Sequence, residues 1–137
     1  MKAVNQMATM KKKKYKNPIP ALRKKADKLY QQVGMMRYGW CEICGKTADC
    51  IHHYFPKSIA SVLRYDIDNA IPICISCHLN IHKKNDPSMN AGILSRRGLD
   101  WHNDLSRKRS ATIKTNVSYY RSIIEDLEEQ LLILENQ

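Results

Sequence analysis

Two cysteine doublets constrain this chain more than any other feature. Cys41-x2-Cys44 and Cys74-x2-Cys77 are separated by 29 residues, and Cys50 stands apart from both. Each Cys-x2-Cys lets one tight turn aim two sulfurs at a single ion, and two such turns complete a tetrahedral zinc site. The first ten residues are mixed and lysines follow directly, so no export signal is read and a reducing compartment is expected. There, paired thiolates serve as metal ligands rather than bridges; redox doublets are the alternative, and the paired spacing speaks against them. Gly45 suits the left-handed residue that closes a knuckle. A structural Zn2+ on Cys41, Cys44, Cys74 and Cys77 is expected, with Cys50 a small buried apolar residue.

The net charge of +10 is unevenly spread. Residues 1–28 carry ten basic side chains and one acid, Asp27; residues 122–137 carry five acids and no basic group. A basic arm beside a mildly basic middle suggests a polyanion partner, nucleic acid above all, against the bland alternative of a solvated tail. No apolar run approaches the roughly 20 residues of a membrane helix, so no membrane partner is expected and a cytoplasmic location is the default expectation.

Along the chain, residues 1–17 read as a disordered basic arm with the run Lys11 to Lys16 interrupted only by Tyr15. Leu22, Ala26, Leu29, Val33 and Met36 form a helical stripe over 18–39, with Pro20 near its start, a ragged end at Gly34 and a stop at Gly39. Residues 40–90 form the cysteine- and histidine-rich domain, with strands over Cys50 to Phe55 and Ala70 to Ile75 and a short helix over Ser76 to Lys84. Asn85 to Ser88 break the chain, and a linking region through Arg96, Arg97 and Gly98 leads to Trp101 and further helix within a helical region 91–137. Val117, Tyr120, Ile124, Leu127, Leu131 and Leu134 mark the last helix, with Asn116 as its cap.

Four of the five histidines, His52, His53, His78 and His82, fall between or just beyond the doublets. His78 and His82 are four apart on a helix and present two imidazoles on one face, the spacing that delivers two nitrogens to one ion. The cysteine site would be closed, while the histidine group could form a second, open site. Trp101 and His102 read as packing or surface groups, and Asp66, Asp68 and Asn69 favour a turn.

The order Cys-x2-Cys, His52-His53-x2-Pro56, Asn69, Cys74-x2-Cys77-His78-x3-His82 resembles the HNH nuclease family over residues 41–82. Leu22-Arg23-Lys24-Lys25-Ala26-Asp27, Leu63-Arg64-Tyr65-Asp66 and the helix after Trp101 look like phage recombination endonucleases of the NinG/Rap type. The resemblance implies an α+β fold: a small zinc-stabilised ββα-metal core flanked by N- and C-terminal helices. It implies His52 as a ligand of a catalytic divalent metal, Mg2+ or another, with His78 and His82 completing the shell. It further implies His53 as general base and Asn69 as the residue that orients the base or its loop. Since many members use a single histidine in the final helix, either His78 or His82 could lie behind the direct ligand.

The function that follows is metal-dependent hydrolysis of DNA phosphodiester bonds, acting on branched or displaced-strand recombination intermediates. A zinc-knuckle DNA-binding protein without catalysis is the alternative. Phosphate contacts would supply most of the affinity; Lys57, Arg64, Lys83, Lys84, Arg96 and Arg97 are the candidates, each against a reading as solvated surface charge. The basic first helix and acidic last helix could pack together within one chain or between two in a homodimer.

Overall fold

A computed structural model describes residues 16–84 and 87–137. Its helices are α1 (Ile19–Tyr38), α2 (Ile75–Lys84), α3 (Pro87–Arg97), α4 (Leu99–Lys108) and α5 (Val117–Glu135). Two short strands, β1 (Cys50–His53) and β2 (Ala70–Ile73), precede α2. The architecture is mixed α+β: a two-stranded hairpin and one helix carry the cysteines and histidines, and the remaining helices flank them.

The strands pair antiparallel, Cys50 with Ile73 and His53 with Ala70. Both stop two residues earlier than the apolar runs suggest: a 3-10 turn ending at Asn69 lies opposite the end of β1, and α2 already begins at Ile75. Ile51 and Pro72 form a non-hydrogen-bonded pair, so the missing N–H of Pro72 costs the ladder nothing. The N–H and C=O of Ile51 face outward and pair with the side-chain amide of Gln31 on α1, at 2.8 and 3.1 Å. On the far edge, the Pro72 carbonyl accepts from Glu42 N–H at 2.9 Å, which docks the first knuckle on β2.

α1 ends at Gly39, whose φ of 75° is left-handed as a helix stop requires. Gly34 does not fray it. A Cβ there would lie 2.6 Å from Ile51 Cγ1, so glycine lets the helix approach β1 while its hydrogen bonding continues. Met36 is exposed and leaves the core stripe, where Tyr30 is buried in its stead. α5 starts on Asn116, whose side chain accepts from Tyr119 N–H at 2.9 Å. The two terminal helices pack on one another within the chain through Ala26, Leu29, Val33, Tyr120, Ile124 and Leu127. Arg23 donates to Tyr120 Oη at 3.1 Å, and Lys25 pairs with Glu128 at 3.4 Å.

The stretch expected as a linker is helix α3, which begins at Pro87, a residue well placed at a first helical position. The Lys11–Lys14 run and Asn85 and Asp86 lie outside the described residues. No described helix is long and apolar enough to cross a membrane.

Candidate active site and zinc cluster

The sulfurs of Cys41, Cys44, Cys74 and Cys77 all lie within 4.8 Å of one another. The first knuckle closes through Gly45 N–H to the Cys41 carbonyl at 2.9 Å, with Gly45 at φ 78°. In the second, Cys77 N–H points at Cys74 Sγ at 3.4 Å. Burial raises the Cys41 thiol, but hydrogen bonds from the backbone of Cys44, Cys74 and Ile43 overcome it and bring the group down to about 6. Burial and the neighbouring sulfurs push Cys77 the other way. Amides already aimed at one thiolate, with crowded sulfurs around it, fit a dication with four sulfur ligands.

Successive side chains of a strand point to opposite faces. His52 therefore turns toward α2, where its ring lies 5.4 Å from that of His78 and 5.5 Å from that of His82. The Nε2 atoms of His78 and His82 are 2.9 Å apart, and one nitrogen from each of the three rings falls within a 4.8 Å cluster. Burial, reinforced by the other imidazoles, pushes His52 down to about 4, and burial likewise lowers His78. Neutral rings present lone pairs, so the donor set suits a divalent ion. His78 Nδ1 lies 3.7 Å from Cys50 Sγ, and Cys50 also packs on the cysteine cluster. Cys50 is half-buried, and its sulfur has a polar neighbour in His78, which a purely apolar reading did not include.

His53 turns toward α1. Its ring stacks on Tyr30, centroids 5.0 Å apart and planes within 17°. Its Nε2 lies 2.8 Å from the carbonyl oxygen of Arg64. A carbonyl only accepts, so Nε2 carries the proton and Nδ1 keeps the lone pair. Burial holds His53 below its ordinary range; the charges of Lys57 and Arg64 act in the same direction, while the Arg64 carbonyl and Asp27 oppose it. His52, His53, His78, His82, Lys57 and Gln31 line one cleft of about 440 Å3.

Asn69 is fully buried. It accepts from Phe55 N–H at 2.8 Å and donates to the carbonyls of Phe55 at 3.1 Å and Leu63 at 3.4 Å. It touches the loop after β1, and its hydrogen bonds go to that loop and to none of the histidines.

The candidate DNA contacts divide. Lys57, Lys83 and Arg96 are exposed, and Lys84 ends α2. Arg64 is taken up inside the chain: its guanidinium binds both oxygens of Asp27, at 2.9 and 2.7 Å. Arg97 is likewise internal. It pairs with Glu42 at 2.8 Å, donates to the Ala70 carbonyl at 3.0 Å, and lies against the rings of Tyr38 and Trp101. Both guanidiniums are engaged in ion pairs within the chain. Trp101 also donates to the Asp68 carbonyl and His102 meets the Tyr54 hydroxyl, so both are framework.

Asp27, Tyr30 and Gln31 were not read as site residues in the sequence. The available signal was faint: Asp27 is the single acid in residues 1–28.

Residues 41–84 match the model of the HNH endonuclease family. With the hairpin, the helix and the four-cysteine cluster, this segment is an HNH endonuclease domain, the unit of a family of DNA phosphodiester hydrolases. A stretch of 47 residues is 45% identical to part of a mitochondrial DNA mismatch repair protein mutS homolog from Sarcophyton glaucum. That match covers 31% of this chain and 5% of the length of that relative. No solved structure matches the chain.

Proposed function

We propose that the chain is a metal-dependent endonuclease in which His53 is the general base and His52, His78 and His82 hold the catalytic metal. The observation that carries the proposal is that a histidine with its lone pair confined to Nδ1 shares one cleft with a cluster of three imidazoles. Phosphodiester hydrolysis requires an activated water, relief of charge building on the phosphate, and help for the departing oxygen. His53 Nδ1 takes the proton from water as it attacks phosphorus, and its depressed basicity keeps it unprotonated at neutral pH. His52, His78 and His82 would hold a divalent ion, which would supply Lewis-acid stabilisation of the phosphate and the leaving oxygen. An all-nitrogen donor set favours borderline ions such as Zn2+, Ni2+ or Co2+ over Mg2+, which prefers oxygen. Lys57, exposed at the cleft, meets a phosphate oxygen, and Lys83 and Arg96 extend the contact.

The finer reading is that the substrate is branched or displaced-strand DNA. It is supported by the likeness of the flanking segments to NinG/Rap-type endonucleases and by the mismatch-repair name of one partial relative. We also read residues 1–17 as a basic, sequence-independent tether, and residues 18–137 as the working unit around the HNH domain.

The test is nicking of supercoiled plasmid by the full chain across Mg2+, Mn2+, Co2+, Ni2+ and Zn2+, with EDTA and His53→Ala controls. A panel of linear, nicked, looped and four-way DNA then ranks substrates. Absence of nicking with every metal rejects the enzyme reading in favour of a zinc-knuckle binding protein. Equal cutting of all forms rejects the branched-substrate reading.

A further inference from the structure

One face of α1 runs along the site, outside the segment that matches the HNH family. Asp27, Tyr30, Gln31 and Gly34 sit at positions i, i+3, i+4 and i+7, a single stripe of a helix. This stripe adjoins the apolar one that meets α5, and Tyr30 belongs to both. Gln31 and Gly34 serve the strand: one pairs with both backbone groups of Ile51, the other makes room for its side chain. Asp27 and Tyr30 converge on the next frame element, the peptide segment 64–66.

Asp27 receives three hydrogen bonds there, two from the Arg64 fork and one from Tyr65 Oη at 2.9 Å. The fork is partly buried, Arg64 at 24% and Asp27 at 38% side-chain exposure, and a bidentate pair fixes direction as well as distance. Burial opposes the charge on Asp27, yet the bonds from Arg64 and Tyr65 hold its carboxyl below the usual range. Tyr30 reaches the other end of the segment: its hydroxyl donates to the Asp66 carbonyl at 2.9 Å while its ring lies flat on His53. Between these two anchors lies the Arg64 carbonyl, the acceptor for His53 Nε2 at 2.8 Å.

We propose that α1 is the positioning element of the active site, with Asp27 and Tyr30 clamping residues 64–66 so that the Arg64 carbonyl holds the His53 ring in place with Nδ1 unprotonated. The proposal rests on His53 being the general base, and it enlarges the functional unit to include a helix the family match leaves out. Asp27 and Tyr30 are positioning residues: neither reaches the reacting atoms.

The experiment uses the full zinc-loaded chain with Asp27→Asn, Arg64→Lys, Tyr30→Phe and Tyr30→Leu. Arg64→Lys keeps the charge but loses the fork, and Tyr30→Phe keeps the stacking but loses the bond to Asp66. Two readouts are taken: steady-state cleavage, and the imidazole N–H resonance of His53 by NMR at fixed pH. That proton exchanges slowly with water only while the carbonyl holds it. We expect Asp27→Asn and Arg64→Lys to lower kcat by roughly 10- to 100-fold, the cost of about 1 Å of misplacement, with KM for DNA within about twofold. The His53 N–H signal should broaden or vanish in both. Tyr30→Phe should fall between wild type and Tyr30→Leu. A sharp His53 signal and wild-type kcat in Asp27→Asn overturn the proposal. So does a fall in kcat that merely tracks lost zinc or unfolding while the signal persists. If Asp27→Asn does not fold, Tyr30→Phe alone carries both readouts. If the wild type cuts nothing, the general-base reading fails, and the resonance still decides whether α1 holds the ring.

Discussion

Replacing Asn69 separates a turn residue from a loop anchor by its magnitude. The side chain is fully buried. Its bonds to Phe55 N–H at 2.8 Å and Phe55 C=O at 3.1 Å are short, and the one to Leu63 at 3.4 Å is weak. Asn69→Ala leaves both backbone groups of Phe55 without their partner, at about 1–3 kcal/mol for each buried group so stranded. Residues Pro56 to Ile59 are exposed, so water can reach one side of this loop and the lower half of the range applies. The expected loss is about 3 kcal/mol, or roughly 10 °C in Tm for a chain of this size. Urea titration and thermal unfolding of the zinc-loaded protein measure it. Asn69→Asp sharpens the test. It keeps an oxygen for Phe55 N–H but sets a second oxygen against two carbonyls, so its carboxyl is raised in the folded state above the unfolded value of about 3.9. The destabilisation is therefore absent at acid pH and grows as pH rises through the folded-state value, opposite to the usual carboxylate trend. Cleavage should drop in Asn69→Ala at temperatures where it is still folded, because the pinned loop carries Lys57 and leads to Arg64. A loss below about 1 kcal/mol in Asn69→Ala refutes the anchor and returns Asn69 to a simple turn role.

Other outcomes follow from the same geometry. His53→Ala should cost cleavage about 10²- to 10⁴-fold while the protein stays folded and DNA retention stays near wild type; more than about a tenth of the activity remaining removes His53 as base. Because burial lowers His53 beneath 6.5 and the base must be unprotonated, the acid limb of the kcat/KM profile should lie below pH 6.5, and a limb at or above it contradicts the assignment. His78→Ala or His82→Ala should bind one metal per chain where wild type binds two, counted by elemental analysis, whereas Cys74→Ser should lose the structural zinc and unfold the knuckle. Gly34→Ala forces a methyl to within 2.6 Å of Ile51 Cγ1 and should destabilise by about 1–3 kcal/mol in denaturant melts.

What was legible in the sequence was local. Cys41/Cys44, Cys74/Cys77 and His78/His82 each lie within one turn of chain, so spacing alone says that their ligand atoms can converge. Gly39 and Asn116 signalled helix ends for the same reason, since a cap depends on its immediate neighbours. The Pro87–Arg97 helix was hidden because a proline after Asn85 and Asp86 reads as a breaker when it also starts a helix well. Arg64 and Arg97 looked like free cations because charge count carries no information on a partner 37 or 55 residues away.

By itself, then, the sequence determined which cysteines and which histidines cluster, and the order of strand, turn and helix that brings them together. Tertiary structure decided what surrounds them: which histidine nitrogen keeps its lone pair, which arginines are engaged inside the chain, and the place of α1 beside the cleft. The physical reason is reach. Ligand pairs are set by one turn of backbone, whereas the Asp27–Arg64 fork and the Tyr30–His53 stack join residues 37 and 23 positions apart, and only the packed fold makes them neighbours.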